Sequence, residues 1–313
     1  MARMTLALIA SLLAASMVTL GVGEETAADR MSLPAGASVI GRDISTAKET
    51  GTEEATAQKS TGTKKEKAAG KGTVDIEWYG HACFMIKTVG GASIVIDPFD
   101  DENFPYSLPE GPVSLAFAGH DHFDHNNLGA VEPEIAVKGG EAGAMVTDPL
   151  KAIPPYGTYT FGEDTTSYAL QVVPSYHDEE KGEKRGHNTI SVWDIDGLRI
   201  VHLGDLGCAL EEKQVRAIGR PDVLMIPVGG YYTIDAEAAR AIVERLSPRI
   251  VLPMHYKTKI LGDKLPISGV EEFLKGWKSV TEAEGCVLSL TPGEFPEGPE
   301  IVLLKYYGWG EEE

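Results

Sequence analysis

From residue 73 onward the chain falls into short apolar runs broken by glycine-containing turns, the pattern of successive β-strands. The first runs are TVDIEWYG (73–80), CFMIKTV (83–89), ASIVIDPF (92–99) and VSLAFAG (113–119). YALQVVPS (168–175), TISVWDI (189–195), LRIVHLGD (198–205) and VLMIPVGG (223–230) continue the series, and RIVLPMHY (249–256), CVLSL (286–290) and EIVLLKYY (300–307) close it. Two segments change period. Asp235 is placed to cap a helix whose Ala239, Ile242, Val243 and Leu246 lie on one face. SGVEEFLKGW opens with Ser268-x-x-Glu271, a capping-box spacing that turns Val270, Phe273, Leu274 and Trp277 inward. Strands first, then strands alternating with helices, predict one α/β domain over 73–313, two packed sheets with helices outside.

The first 72 residues lack this pattern. A basic start, Met1 to Arg3, precedes twenty uncharged and mostly apolar residues, Met4 to Gly23, and Glu24 and Glu25 close the stretch. That order predicts a signal peptide or an N-terminal membrane anchor over 1–23, close to the ~20 residues a bilayer span needs. Arg3 inside and the two glutamates outside predict an extracytoplasmic protein, secreted or anchored to the outer face of the cytoplasmic membrane. Residues 24–72 are rich in Thr, Ala, Gly, Lys and Glu, hold no aromatic residue, and have no sustained apolar period. Such a segment cannot bury enough surface to offset its ordering entropy, so it reads as a disordered tether.

Charge narrows the list of partners. Eight Lys/Arg cancel eight Asp/Glu in the tether, so the net charge of −19 rests almost wholly on the domain. A domain that acidic is a poor match for nucleic acid, which needs clustered Lys/Arg, and a small-molecule substrate is expected instead. Cys83, Cys208 and Cys286 are scattered and form no C-x-x-C pair, so no disulfide framework is expected.

The chemistry begins at GHDHFDHNN (119–127), directly after an apolar run. It offers imidazole at His120, His122 and His125 and carboxylate at Asp121 and Asp124. Residues two apart at a strand end can point to one side, and the turn that follows can bring Asp124 and His125 beside them. A single metal rarely needs more than three protein ligands, so this surplus predicts two ions. Four other strand ends carry further donors: His81 after EWYG, His177 after VVPSY, Asp205 after IVHLG and His255 after IVLPM. His202 is three residues before Asp205 on one strand and is expected to face away from the metals.

The set HDHFDH, His177, Asp205 and His255, in that order, resembles the metallo-β-lactamase superfamily. The similarity is greatest to its branch of metal-dependent hydrolases that includes ascorbate-phosphate lactonase-like enzymes. It is carried by WYGHACF, VIDPF, GHDHFDH, PSYH, RGHNTISV, HLGDLG, PVGGYYTIDAEAA and VLPMHYKT, and spans roughly residues 74 to 307. The resemblance implies a four-layer αββα metallo-β-lactamase sandwich with the site between the loop ends of its sheets. It further implies that His120, His122 and His177 hold one divalent ion, that Asp124, His125 and His255 hold another, and that Asp205 bridges. Aspartate at the bridging step, rather than a second site containing cysteine, argues against an antibiotic-destroying β-lactamase. HLGDLG is followed by Cys208 where this branch often has histidine, a departure that bears on specificity if the position touches substrate.

These residues imply a metal-dependent hydrolase in which a metal-bound hydroxide attacks a small ester, lactone or phosphodiester. Asp124 and Asp205 are the candidate catalytic acceptors of the nucleophile's proton. Zinc is the favoured metal, with manganese or iron also suited to these donors. Asp121 is expected to orient a ligand imidazole rather than to bind metal. The charged loop HDEEKGEKRGHN (177–188) offers Arg185 and His187 to the substrate; His81, Tyr231 and Tyr232 complete the candidate contacts. Two alternatives stay open: a phosphodiesterase acting on lipid head groups, with the N-terminal segment holding it at the membrane, and a non-catalytic metal-dependent binding or sensory module.

Overall fold

A computed structural model describes residues 72–100, 102–140, 143–147, 153–162 and 167–310. The leader expected over 1–23 and, apart from Gly72, the tether expected over 24–72 lie outside the described residues. Among those described, no helix is long and apolar enough to cross a membrane.

The chain first builds β1 (Val74–Gly80), β2 (Cys83–Lys87), β3 (Ser93–Ile96), β4 (Val113–Ala118), β5 (Pro133–Gly140) and β6 (Gly143–Thr147), neighbours in that order in one sheet. It then lays down β7 (Thr158–Phe161), β8 (Tyr168–Tyr176), β9 (His187–Ile195), β10 (Leu198–His202), β11 (Val223–Pro227), β12 (Ile250–Met254) and β13 (Val280–Glu282) in a second sheet. Finally β14 (Val287–Leu290) returns to the first sheet beside β1, and β15 (Glu300–Leu303) enters the second between β12 and β13.

β8, β9 and β10 form an antiparallel meander, whereas β10, β11 and β12 run parallel. Parallel neighbours need crossovers, which carry α1 (Glu212–Ile218) and α2 (Ala236–Leu246). Covered on both faces, β11 and β12 are apolar and buried along their whole length. β8 alternates buried and half-buried positions instead. The inner faces of the two sheets share one core, in which the Phe117 ring meets the edge of Trp193 at 5.9 Å. The architecture is the expected αββα sandwich; the layer over the first sheet, among described residues, is a single 3-10 turn at Leu128–Val131 against β4 and β5.

The helices follow the sequence pattern unevenly. In α2 the Asp235 side chain accepts from Ala238 N at 2.9 Å, and Ala239, Ile242, Val243 and Leu246 are its buried residues, as the period predicts. The second expected helix shrinks to the single turn α3 (Glu271–Leu274), of whose residues Phe273 is the buried one. Ser268 does not cap it, because its backbone bonds Gly229 O and Lys257 N and pins the loop after β11. α1 was not anticipated, although Glu211 N donates to Gln214 Oε1 in a capping box. β5, β6, β7 and β13 also escaped the pattern reading; PEIAVKGG, with its proline and paired glycines, scarcely alternates.

Trp193 is fully buried at the contact between the sheets and donates from Nε1 to Ser191 Oγ. Trp193→Ala removes this ring from the shared core and is expected to destabilise the domain by about 3–5 kcal/mol. Chemical denaturation followed by circular dichroism reads the shift; an unchanged midpoint would mean that the sheets do not depend on this contact.

Candidate metal centre

The site is made by the ends of six strands. β1 delivers His81, β3 Asp97, β4 the HDHFDH segment, β8 His177, β10 Asp205 and β12 His255. His81, Asp97 and His255 all have φ near +50°, a left-handed conformation that non-glycine residues seldom adopt. Each thus turns its strand sharply and swings its side chain to the same rim, strain of the sort that persists where surrounding structure over-determines it. Close backbone approach tightens the rim further. A Cβ on Gly207 would meet the His177 carbonyl, and one on Gly229 would meet the His255 carbonyl oxygen, each at 2.2 Å.

Asp205 lies at the middle. Its Oδ2 is 3.1 Å from His177 Nε2, 3.4 Å from His255 Nε2 and 3.9 Å from His120 Nε2. Its Oδ1 is 3.1 Å from His125 Nε2, and Asp124 Oδ2 is 3.5 Å from the same nitrogen. The donors fall into close groups: His120 with His122 and His177; His81 with Asp124, His125 and His255; and His120 with His125 and Asp205. The seven expected ligands are therefore brought together, and His81 joins them.

Burial and bonding test whether a cation fits. His120, His125, His177, Asp205 and His255 are each at most 4% exposed. Yet His120 Nδ1, His177 Nδ1 and both nitrogens of His255 have no hydrogen-bond partner. A buried polar atom left unpaired costs about 1–3 kcal/mol, so such a cluster is unreasonable without something electropositive among the donors. Soft-to-borderline imidazoles with two carboxylates fit a divalent transition metal.

The ionisation states agree. Burial, aided by neighbouring imidazoles, lowers the pKa of His81 to about 4 and of His120 to about 3 and shifts His122 the same way. Those rings are neutral at pH 7, the form that binds metal. Burial opposes charge on His125 too, but Asp205 and Asp124 outweigh it and hold the ring well above the usual imidazole range. Burial pushes the carboxyl of Asp205 up, but His125 and His255 reverse this and hold it well below the usual range. Without metal, a proton on His125 thus supplies the positive charge among these carboxylates.

Asp121 does not orient an imidazole: its side chain is largely exposed, bonding Asn126 and pairing with Lys138 at 2.5 Å, because the turn points it outward. The orienting carboxylate is Asp97, fully buried, with Oδ2 3.0 Å from His125 Nδ1 and Oδ1 accepting from Gly119 N at 2.7 Å. Its signal, an Asp-Pro step at the end of an apolar strand, was present in VIDPF. Asn188 was also missed; its Oδ1 accepts from Asp205 N, while its Nδ2 donates to Ser175 Oγ and Leu203 O. His202 is structural, as expected: Gly204 N donates to its Nδ1, which leaves Nε2 to donate to Ala82 O at 2.9 Å.

A cleft of about 290 Å³ opens over the donors, walled by His122, Phe123, Asp124, His177, Lys184, Arg185, Asp205, Tyr232 and Leu265. Of the expected substrate contacts, Arg185 and Tyr232 line it, with the guanidinium 5.6 Å from the ring centroid. Tyr231 is exposed at φ +64° and lines the adjoining hollows. His187 starts β9 against the Tyr176 ring and is not part of the cleft wall, nor is fully buried His81. Cys208 is half-buried, its Sγ 3.7 Å from Tyr176 O, and lines a neighbouring hollow rather than this cleft.

A two-sheet sandwich that gathers imidazole and carboxylate at one rim of its strands defines a metal-dependent hydrolase fold. Residues 75–255 match the β-lactamase superfamily domain family. A UPF0173 metal-dependent hydrolase of Archaeoglobus fulgidus is 31% identical over 237 residues, covering 70% of this chain and 96% of its own. Another, of Methanoculleus marisnigri, is 32% identical over 234 residues, with coverage of 72% and 97%. A Thermotoga maritima crystal structure, described as a Zn-dependent hydrolase of the metallo-β-lactamase superfamily, matches with TM-score 0.55 at 29% identity, over 74% of this chain and 99% of that one. This chain belongs to the metallo-β-lactamase superfamily, among its metal-dependent hydrolases.

Two outcomes follow from the geometry. Asp97→Ala frees the His125 ring and is expected to weaken metal binding about 10- to 100-fold, whereas Asp121→Ala leaves it unchanged; competition with a chromophoric chelator measures both. Metal must also displace the His125 proton, so apparent affinity rises with pH, about tenfold per unit for one displaced proton, until the His125 pKa is passed. A pH-independent affinity would contradict the assigned charge on His125.

Proposed function

We propose that the domain is a two-metal hydrolase that directs water at a small ester, lactone or phosphodiester. The observation that carries the reading is Asp205, one buried carboxylate set between two groups of imidazoles, several of whose ring nitrogens have no hydrogen-bond partner. His120, His122 and His177 would hold one divalent ion; Asp124, His125 and His255 would hold the other, with Asp205 shared between them. Zinc is favoured, in keeping with the description of the Thermotoga maritima protein. When bound, such ions supply Lewis-acid activation of water and polarisation of the attacked oxygen.

The chain's own residues do the rest. Asp124 is the carboxylate on the cleft wall beside the donor cluster, so it is the group we assign to accept the attacking water's proton. His81 Nε2, 3.1 Å from Asp124 Oδ2, keeps that carboxylate in place. Asp205 keeps its charge amid the imidazoles and, held through its backbone by Asn188, fixes their rings toward the cleft. Phe123 and Leu265 give the cleft its apolar walls. From the leader and tether we also place the domain outside the cytoplasm, secreted or held at the membrane.

The full chain is expected to carry close to two equivalents of divalent metal by plasma mass spectrometry. It should hydrolyse bis(4-nitrophenyl) phosphate or a simple lactone, and lose about 100-fold or more of that activity in Asp205→Ala and His120→Ala as metal content falls. Full metal content with no turnover of any probe would favour a binding module; one equivalent with full activity would sink the two-metal reading.

A further inference from the structure

A second cleft shares none of the residues that wall the cleft over the donors. It encloses about 290 Å³ between β1, the segment after β12 and the segment after β15. Four aromatic rings line it. Trp78 lies 5.4 Å from Tyr256 and 6.5 Å from Tyr306, and Trp309 meets Tyr306 edge-on at 5.0 Å. Trp78, Tyr256 and Tyr306 are buried, whereas Trp309 is 47% exposed. An indole left half in water beside other rings offers apolar surface that a flat ligand would cover.

Two polar features set this cleft apart from an ordinary seam between elements. Tyr256 is 8% exposed, yet its hydroxyl has no hydrogen-bond partner among the described residues. The hydroxyls of Tyr106 and Thr258, by contrast, bond each other at 2.5 Å. A buried Tyr O–H usually finds a partner, so this one is available to a ligand group. Lys305 is half-buried in the same cleft, with its ammonium 5.8 Å from the Trp309 ring centroid and no carboxylate partner among the described residues. The cleft holds Lys257, Lys259 and Lys305 against Glu271 and Glu282. Lys257 pairs with Asp263, and Lys259 and both glutamates are exposed. Water screens those charges, so the half-buried Lys305 sets the sign of the site.

We propose that this cleft is a second ligand site, which takes a small aromatic monocarboxylate. Its ring would lie against Trp309 and Trp78, and its carboxylate would meet Lys305 and the Tyr256 hydroxyl. One effective positive charge over aromatic rings matches one negative charge on a flat body, while a dianion would meet the two glutamates as well. The volume lies just under the roughly 300–1,000 Å³ of pockets that take drug-sized ligands, so the ligand is small. The floor is set before any ligand arrives: Trp78 Nε1 donates to His81 O at 3.2 Å, and His255 N donates to the same oxygen at 3.0 Å. Such a site is independent of the reaction at the metal centre.

The test titrates the full chain, loaded with zinc, by calorimetry with indole-3-propionate, 3-methylindole and tryptamine. These probes share a ring and differ in charge. Trp309→Ala, Lys305→Gln and Tyr256→Phe are first checked for parental metal content and melting temperature; Trp309 and Lys305 are not fully buried, so their loss spares the core. The acid is expected to bind about tenfold tighter than 3-methylindole, with tryptamine weakest. Its dissociation constant should rise about tenfold in Trp309→Ala and in Lys305→Gln, and about threefold in Tyr256→Phe. 3-Methylindole should bind the parent and Tyr256→Phe alike. Equal affinity for the acid in the parent and all three variants would put its carboxylate on the zinc and overturn the site. Tightest binding of tryptamine would make the cleft a cation site and overturn the carboxylate class. No binding of any probe would also overturn the proposal; a dimer in light scattering that Trp309→Ala dissociates would then identify a second copy of the chain as the occupant.

Discussion

Asp205 is a buried carboxylate that lies within 4 Å of ring nitrogens from His120, His125, His177 and His255, and the rest of the site is arranged around that fact. An ionised carboxylate taken out of water is costly unless opposite charge and hydrogen bonds compensate it. Here Asn188 satisfies the backbone at that position, a proton on His125 or a cation supplies the charge, and unpartnered imidazole nitrogens complete a donor shell. Metal binding and correct packing of these strand ends are therefore one problem, since the same groups that would coordinate an ion would be orphaned without it.

The sandwich solves that problem by geometry. The sheets lock into a shared core through contacts such as Phe117 on Trp193, which fixes the strands relative to one another. The strand ends are then free to turn abruptly, and His81, Asp97 and His255 do so in left-handed conformations. Gly207 and Gly229 let the turn after Asp205 and the loop after β11 lie against the backbones of His177 and His255. Rigid strands hold the metal donors, while a loop anchored on Asp178 holds the residues that face solvent and substrate. This division of labour lets specificity change without disturbing the ligand set.

Much of this was legible in the sequence because the signals are local. Apolar runs of the right length located β1 to β4, β8 to β12, β14 and β15, and the one-face period with Asp235 located α2. HDHFDH and the polar residue after each later run named seven of the eight donors that the fold collects, and His81, after the first run, is the eighth. Local signals also misled where a partner decided the outcome. Ser268 has a capping spacing but spends its backbone on Gly229 and Lys257, and Asp121 sits among ligands but turns to Lys138 and solvent.

The sequence by itself determined the types of most elements, the candidate donors and the charge of the domain, because these depend on residues near one another along the chain. Only the tertiary structure decided that Asp97, 28 positions before His125, orients its ring, and that His81 stands beside Asp124. It also decided that Arg185 rather than His187 faces the cleft. Those outcomes depend on which strand ends lie side by side and which way each turn throws its side chain. Both are set by long-range packing of two sheets, and no short stretch of sequence encodes them.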